Sequence, residues 1–290
     1  QVFLTNGASP ISLIELTSTD PNKTVLTMTV KKGGDGTVAL GGIEGTGVKS
    51  INMPKTLLNG DGIILTGPVQ TINLNGISNG ADISAVGSIP KKKTRITVKN
   101  AIVNGTDITI NQPLALLKAA AYGSGGTITA PSIGTVSIKG NFKSNVNVTG
   151  AGAGNTSITS FNVLGQVDGS TISVANGNVK TFKVGTFINS QLKVGYTGNN
   201  VGNGSFDDPT STIGTFKTTL KSSAAFKNSS VIAANMNNVT LSGVTDDNSG
   251  NEFGIFANSF KKVSIMLPAK VAYADSVGGT SKDFSVKVLS

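Results

Sequence analysis

A short apolar motif recurs along most of this 290-residue chain and constrains its fold more than any other feature. Written as apolar-x-x-apolar-x-apolar, the motif is clearest in Val179, Phe182 and Val184. Ten copies have these middle residues: Ile51, Ile72, Ile96, Leu117, Val136, Phe161, Phe182, Phe216, Val239 and Val263. The steps between them are 19–25 residues, with one step of 34. Such near-constant spacing is typical of a stacked repeat protein.

Two further apolar elements follow the motif within most copies. One is an alternating pair, such as Ile172 with Val174 or Leu192 with Val194, and a single apolar residue such as Phe187 lies between motif and pair. A strand this short is not stable alone, but copies stacked about 4.8 Å apart pair each backbone and bury a continuous column. The pattern predicts an all-β parallel β-helix, or β-solenoid, of about ten rungs, one for each of the ten motif copies.

The turn residues leave a second fold open. Seven Asn-Gly steps fit the corners of a coil, but they also fit the hairpins of a β-sandwich or propeller. In successive copies the motif, the single apolar residue and the alternating pair recur in the same order and never in the reverse order. We therefore favour a coil that always winds one way.

The chain divides into three segments. Residues 38–266 hold the repeats, interrupted by a Gly- and Asn-rich insertion at 195–212. Residues 1–37 do not follow the spacing of the motif and contain two predicted strands, one on either side of Asp20. Residues 267–290 also depart from that spacing and end on an alternating strand. Because a solenoid exposes an unpaired ladder at each end, we expect these segments to be caps or assembly strands that pair with another subunit.

The repeated segments also resemble a known class of domain. Ile-x-x-Val-x-Val-x-Gly and Ser-x-Ile-x-Val, over residues 38–266, resemble right-handed parallel β-helix domains of bacterial secreted and cell-surface proteins, including adhesin-like and autotransporter-passenger-like modules. The resemblance implies an extracellular or cell-surface location. It also implies a non-catalytic structural or adhesive role, including that of a self-assembling fibre, sheath or surface-layer subunit.

Composition argues against most enzymatic chemistry. The chain has no Cys, His or Trp, which removes thiolate and imidazole metal sites and a Cys nucleophile or His base. Polysaccharide lyases with this fold need acidic calcium ligands beside a basic residue, and Arg95 has no acidic neighbour in sequence. We therefore expect no enzyme activity; binding or degradation of an acidic polysaccharide is the alternative function.

A few residues are candidates for ligand contacts. The acidic pairs Asp207-Asp208 and Asp246-Asp247 lie in loops, where we expect them to form turns, although their oxygens make them candidates for calcium. No other cofactor is expected. Tyr122 and Tyr196 lie in Gly-rich stretches and are candidates for a platform that stacks against sugars.

The net charge of +9 comes from 24 basic residues, and several of the lysines lie beside the motif. Stacking would align some of them into a positive rib, and the candidates for contact with an anionic glycan or envelope polymer are Lys139, Lys180, Lys183, Lys193 and Lys217. The alternative is that they keep sheets soluble and apart. With a single arginine, sequence-specific reading of nucleic acid is not expected. No apolar run is long enough for a transmembrane segment.

Overall fold

The computed structural model describes residues 11–30, 36–78, 80–198, 204–267, 271–274 and 279–289. Those residues contain strands and no helix, and the strands form one hydrogen-bonded sheet that winds as a parallel β-solenoid of about ten turns. The predicted fold class is thus confirmed. The strands are β1 (Ile11–Leu16), β2 (Val25–Thr27), β3 (Val38–Gly45), β4 (Val48–Leu65), β5 (Val69–Ser78), β6 (Asp82–Ala85), β7 (Thr94–Val98), β8 (Ile108–Ile110), β9 (Leu114–Ala119), β10 (Thr127–Ala130), β11 (Ile133–Ile138), β12 (Asn145–Val148), β13 (Thr156–Asp168), β14 (Thr171–Val174), β15 (Asn178–Ile188), β16 (Gln191–Val194), β17 (Thr212–Thr218), β18 (Phe226–Lys227), β19 (Ser230–Leu241), β20 (Phe253–Ile265), β21 (Val271–Ala274), β22 (Gly279–Ser281) and β23 (Phe284–Val288).

The repeated motif forms one wall of the solenoid, which we call the anchor wall. Each predicted middle residue pairs in parallel register with the next one along the chain, without exception from Ile51 to Val263. All ten are buried. The anchor wall consists of these ten segments: 48–54, 69–75, 94–99, 114–120, 133–139, 158–164, 179–185, 212–219, 236–242 and 260–266.

The two other predicted elements also stack in parallel register. The alternating pairs form a second wall, whose inward column runs from Ile14 to Val286. The single apolar residues form a corner column between the walls: Leu40, Leu58, Ile77, Ile102, Tyr122, Phe142, Val167, Phe187, Phe226 and Val244. The inward residues of the anchor wall, the second wall and the corner column therefore fill one continuous core.

Aromatic side chains from two of these columns meet in the middle of the core. The ring of Phe182 stacks on Phe161, with centroids 4.5 Å apart and planes 2° from parallel, and on Phe216 at 5.5 Å. Phe187 of the corner column lies edge-on to Phe182 and Phe216, at 5.8 and 5.4 Å. Each such pair contributes about 0.5–1.5 kcal/mol beyond the area that it buries. The contacts span the 34-residue step, so the insertion does not break the register.

The N-terminal strands belong to the coil. β1 pairs in parallel with β3 on the second wall, and β2 pairs in parallel with β4 on the anchor wall, where Leu26 lies beside Ile51. Ile14 and Leu26 are partly buried and pack against the core. Because this rung is less enclosed than those inside the coil, its sequence can relax the motif and still stack.

At the C-terminal end, two strands pair antiparallel to their neighbours instead of parallel. β23 continues parallel to β20 on the second wall, but β22 pairs antiparallel to β23, and β21 pairs antiparallel to β20 on the anchor wall. The last rung is thus covered by strands of its own chain. Pairing of terminal strands with another subunit stays a prediction. Within the described ranges, no helix is long and apolar enough to cross a membrane.

Replacing Phe182 tests the anchor wall. Phe182→Ala removes a fully buried ring with two stacked neighbours and should lower the free energy of unfolding by about 3–5 kcal/mol. Phe182→Asp would place an unpaired carboxylate in the core and should prevent folding of the stack. Urea titration followed by far-ultraviolet circular dichroism measures both effects.

The neighbouring residue supplies the control. Lys183 is exposed on the outer side of the same strand, so Lys183→Ser should change the free energy of unfolding by less than about 0.5 kcal/mol. Comparable destabilisation by Phe182→Ala and Lys183→Ser would contradict the assignment of inward and outward positions.

Candidate interaction surface

The outer side of the anchor wall carries two regular columns of side chains. Successive side chains of a strand point to opposite faces, so the residues on either side of each middle residue point outward. The first column is Ser50, Thr71, Arg95, Leu116, Thr135, Ser160, Thr181, Thr215, Asn238 and Lys262; the second is Asn52, Asn73, Thr97, Lys118, Ser137, Asn162, Lys183, Lys217, Thr240 and Ser264. Hydroxyl, amide and basic groups therefore dominate this surface.

The anchor wall carries basic residues on seven of its ten segments, from the first to the last. Its ten segments carry ten basic residues, all of them exposed: Lys49, Arg95, Lys99, Lys118, Lys139, Lys180, Lys183, Lys217, Lys261 and Lys262. The same segments contain no Asp and no Glu. Because nothing within the wall neutralises these charges, it presents a positive potential to solvent.

The acidic residues of the described chain lie elsewhere. Asp82 and Asp107 begin second-wall strands or precede them, and each accepts a backbone N–H from the next rung at 2.7 Å. The ion pairs found in the described ranges use Lys23, Lys143, Lys282 and Lys287, none of which belongs to the anchor wall. Among the described residues, acidic side chains are therefore confined to other parts of the solenoid, whereas basic side chains occur both on and off the anchor wall.

The five predicted contact lysines do not form a single rib. Lys183 and Lys217 lie side by side on adjacent rungs, and Lys180 lies on the same strand as Lys183. Lys139 lies at the corner of a rung two levels away. Lys193 lies on the second wall, where it is half-buried and its Nζ donates to the carbonyl of Gly198 at 3.1 Å. The predicted rib is thus a broad wall of separate columns to which Lys193 does not belong.

The predicted contacts leave out six of the ten basic residues of this wall, namely Lys49, Arg95, Lys99, Lys118, Lys261 and Lys262. Arg95 was considered as a catalytic base and Lys118 was not singled out, yet each occupies an outward column. Their positions in the motif could have identified them, because Arg95 lies directly before the middle residue Ile96 and Lys118 directly after Leu117.

The described parts of the insertion, 195–198 and 204–212, contribute side chains that cover part of the second wall. The insertion leaves the coil after β16 and returns at β17, and inside it Tyr196 and Phe206 form an antiparallel bridge with ring centroids 5.2 Å apart. Beneath them lie Ile232 and Phe256, which point outward from the second wall but are fully buried. The insertion thus creates a small second core outside the coil.

The two tyrosines are therefore not a surface platform for sugars, and that expectation is wrong. Tyr196 is buried in the second core, and Tyr122 is 1% exposed in the corner column. The hydroxyl of Tyr122 donates to the carbonyl of Thr106 at 2.8 Å. Burial, together with the negative charges of Asp107 and Asp82, raises the pKa of Tyr122 far above its usual value.

Asp208 fixes the base of the insertion. Its carboxylate accepts hydrogen bonds from the backbone N–H of Gly177, at 2.7 Å, and from the N–H and hydroxyl of Thr210, at 3.0 and 2.6 Å. Burial alone would raise the pKa of Asp208, but these bonds and one from Ser211 hold it below its usual value. Asp208, which is 3% exposed, therefore serves as an internal anion.

The other acidic pair lies at the C-terminal cap. Asp246 accepts a hydrogen bond from the Ser281 hydroxyl at 2.6 Å, and this bond together with the charge of Lys282 lowers the pKa of Asp246. Asp247 lies 3.6 Å from the Lys282 amine. In the described ranges no three His, Cys, Asp or Glu residues form a group that could hold a metal. Calcium binding at Asp207, Asp208, Asp246 or Asp247 stays a prediction.

A polar groove of about 500 Å³ runs along a corner near the C-terminal cap. Its floor is a ladder in which the amide of Asn248 donates to Asn228 and that of Asn228 donates to Asn189, each at 2.9 Å. At its rim, Glu252 pairs with Lys287 at 3.6 Å. Because these side chains bond to one another, we infer that the residues of the groove hold neighbouring rungs in register.

No protein-family profile, curated protein or solved structure matches this chain. We therefore infer the function from the geometry of the described residues.

Asp208 offers a test of the insertion. Because its pKa is lowered in the folded protein, its stabilising effect is present above the ordinary carboxyl pKa and is lost as pH falls through the lowered value. Asp208→Asn should cost about 1.5–3 kcal/mol near neutral pH, and the difference from the parent should shrink in acid. Thermal unfolding across that pH range measures it.

Asp207→Asn is the matched control, since it removes the same charge from an exposed neighbour. We expect a change below about 0.5 kcal/mol with little dependence on pH. Equal behaviour of the two variants would refute the role given to Asp208.

Proposed function

We propose that this protein is a non-catalytic structural and adhesive β-solenoid that works outside the cell or on its surface. Its mechanism is mechanical. Ten rungs at the strand spacing give a stiff body about 48 Å long. Because the side chains of the main core point inward, the outward side chains that the insertion does not cover are free for contact.

The observation that carries this proposal is the unbroken register of the anchor wall. A column of middle residues from Ile51 to Val263 is buried and paired at every rung, even across the 34-residue step. Such a stack resists bending because each rung contacts both neighbours along its full length. A stiff body that displays a regular surface suits a stalk or adhesive element.

The C-terminal cap favours discrete particles over fibres. β22 and β23 pair antiparallel, and β21 runs against the last anchor-wall strand, so the parallel ladder is covered at this end. Capping strands of this kind prevent end-to-end stacking of solenoids. We therefore place this chain with adhesive rods rather than with sheath or surface-layer polymers.

The extracellular location is part of the same proposal. It rests on the likeness of the repeats to those of secreted and surface β-helix domains, and on the wealth of Gly, Asn, Ser and Thr at outward positions. Limited proteolysis of intact source cells, followed by immunoblotting, tests this location. Cleavage of the protein by the external protease is expected if the protein lies outside the cell or on its surface.

Negative-stain electron microscopy of the purified protein tests the rod. We expect discrete short particles whose long axis is near 48 Å plus the caps. Ordered fibres, tubes or lattices at the same concentration would instead support a self-assembling subunit and contradict the role given to the cap.

A truncated variant makes this test sharper. Deleting residues 279–289 removes β22 and β23 and should uncover the second-wall ladder of β20. We expect that variant, and not the full chain, to form end-to-end strings. Strings from neither would show that the cap is unnecessary for keeping particles apart.

A further inference from the structure

We propose that the anchor wall binds a linear anionic polysaccharide that lies along the axis of the solenoid and contacts several rungs at once. This inference rests on the proposed adhesive function and names its ligand class: a polymer whose sugar units carry carboxylate or sulfate groups.

The distribution of charge selects a polymer over a small ligand. Exposed basic residues occur from Lys49 on an early rung to Lys262 on the last anchor-wall rung, with no acidic residue in any of the ten segments. Consecutive rungs are about 4.8 Å apart, so the charged surface extends over roughly 48 Å. A chain with repeated negative charges can neutralise many of these lysines together, whereas a single small anion meets only one or two.

The densest part of the wall lies around Lys180, Lys183 and Lys217. The backbones of Lys183 and Lys217 pair directly, and Thr181 pairs with Thr215 in the neighbouring outward column. Their ammonium groups suit carboxylate or sulfate, and the hydroxyls beside them can exchange hydrogen bonds with sugar hydroxyls. None of the three lysines is in an ion pair within the described ranges.

Two other polyanions fit this wall less well. Single-stranded nucleic acid is bound by stacking bases on exposed aromatic rings, whereas the rings of Phe161, Phe182 and Phe216 point into the core. Membrane surfaces are bound by a face of apolar side chains beside the cations. The exposed large apolar residues of the ten segments are Leu164 and Met266, which lie four rungs apart.

Binding is tested with named polymers on the full chain. Dextran sulfate carries sulfates, polygalacturonate carries carboxylates, and neutral dextran carries neither. We expect both anionic polymers to bind and neutral dextran not to bind, as measured by isothermal titration calorimetry. The logarithm of the affinity should fall linearly with the logarithm of salt concentration, as it does when cationic side chains release counterions from a polyanion.

Two triple variants with equal charge separate the wall from net charge. The wall variant is Lys180→Ser/Lys183→Ser/Lys217→Ser, and the control, which changes lysines on other faces, is Lys143→Ser/Lys227→Ser/Lys287→Ser. We expect the wall variant to bind about tenfold more weakly or worse, with a shallower salt dependence, and the control to change less than about twofold. Circular dichroism checks that both are folded.

Several outcomes would overturn the inference. They are equal weakening by both triple variants, no binding of either anionic polymer at low salt, or tighter binding to single-stranded polynucleotide or to anionic lipid vesicles than to the polysaccharides. Binding of just one of the two polymers would support the inference and identify the anion.

The same samples distinguish failure of the inference from failure of the proposed function. If the polymer recovered after incubation is shorter, the protein is an enzyme and the non-catalytic function is wrong. The inference that the anchor wall binds the polymer is not contradicted by that result. If the polymer is intact and unbound and the protein still forms discrete rods, the ligand class is wrong and the structural role stands.

Discussion

The strands inside the coil depend on hydrogen bonds to the rungs above and below them. β14, for example, pairs with β12 and with β16, each more than 15 residues away in sequence. Stability in such a stack is a sum over neighbouring rungs, so an inserted segment must return in register or split the core. The insertion meets this demand through Asp208, whose carboxylate fastens the returning chain to Gly177 of the preceding rung.

The same dependence leaves the outer positions free to vary. Inward columns hold apolar residues, most of them Val, Ile, Leu or Phe, because each contacts its equivalents on adjacent rungs, but outward residues meet mainly solvent. On the second wall, outward residues serve the fold where the insertion covers Ile232 and Phe256. On the anchor wall they are mostly hydroxyl and amide side chains, among which exposed basic residues lie without acidic neighbours. The outward residues of the anchor wall can therefore change to suit a ligand with least effect on the fold.

Much of the core could be predicted from the sequence, whereas the candidate surface could be predicted in part. The middle residues follow from spacing alone, since a stack forces equivalent residues into one column. Tyr122 was misplaced because a Gly-rich neighbourhood suggests a loop, yet its position matches Phe142 on the next rung. Lys193 was grouped with the wrong lysines because alternation shows that a side chain points outward but not which wall carries it.

The sequence by itself determined the repeat, the three inward-facing elements of each copy and the absence of acidic residues from the anchor-wall segments, because these depend on local order along the chain. Tertiary structure decided which lysines share a face, which tyrosines are buried, and that the last rung is covered by antiparallel strands. These features depend on contacts between residues distant in sequence. The register and the path of the chain around each corner decide such contacts, and spacing alone does not encode that path.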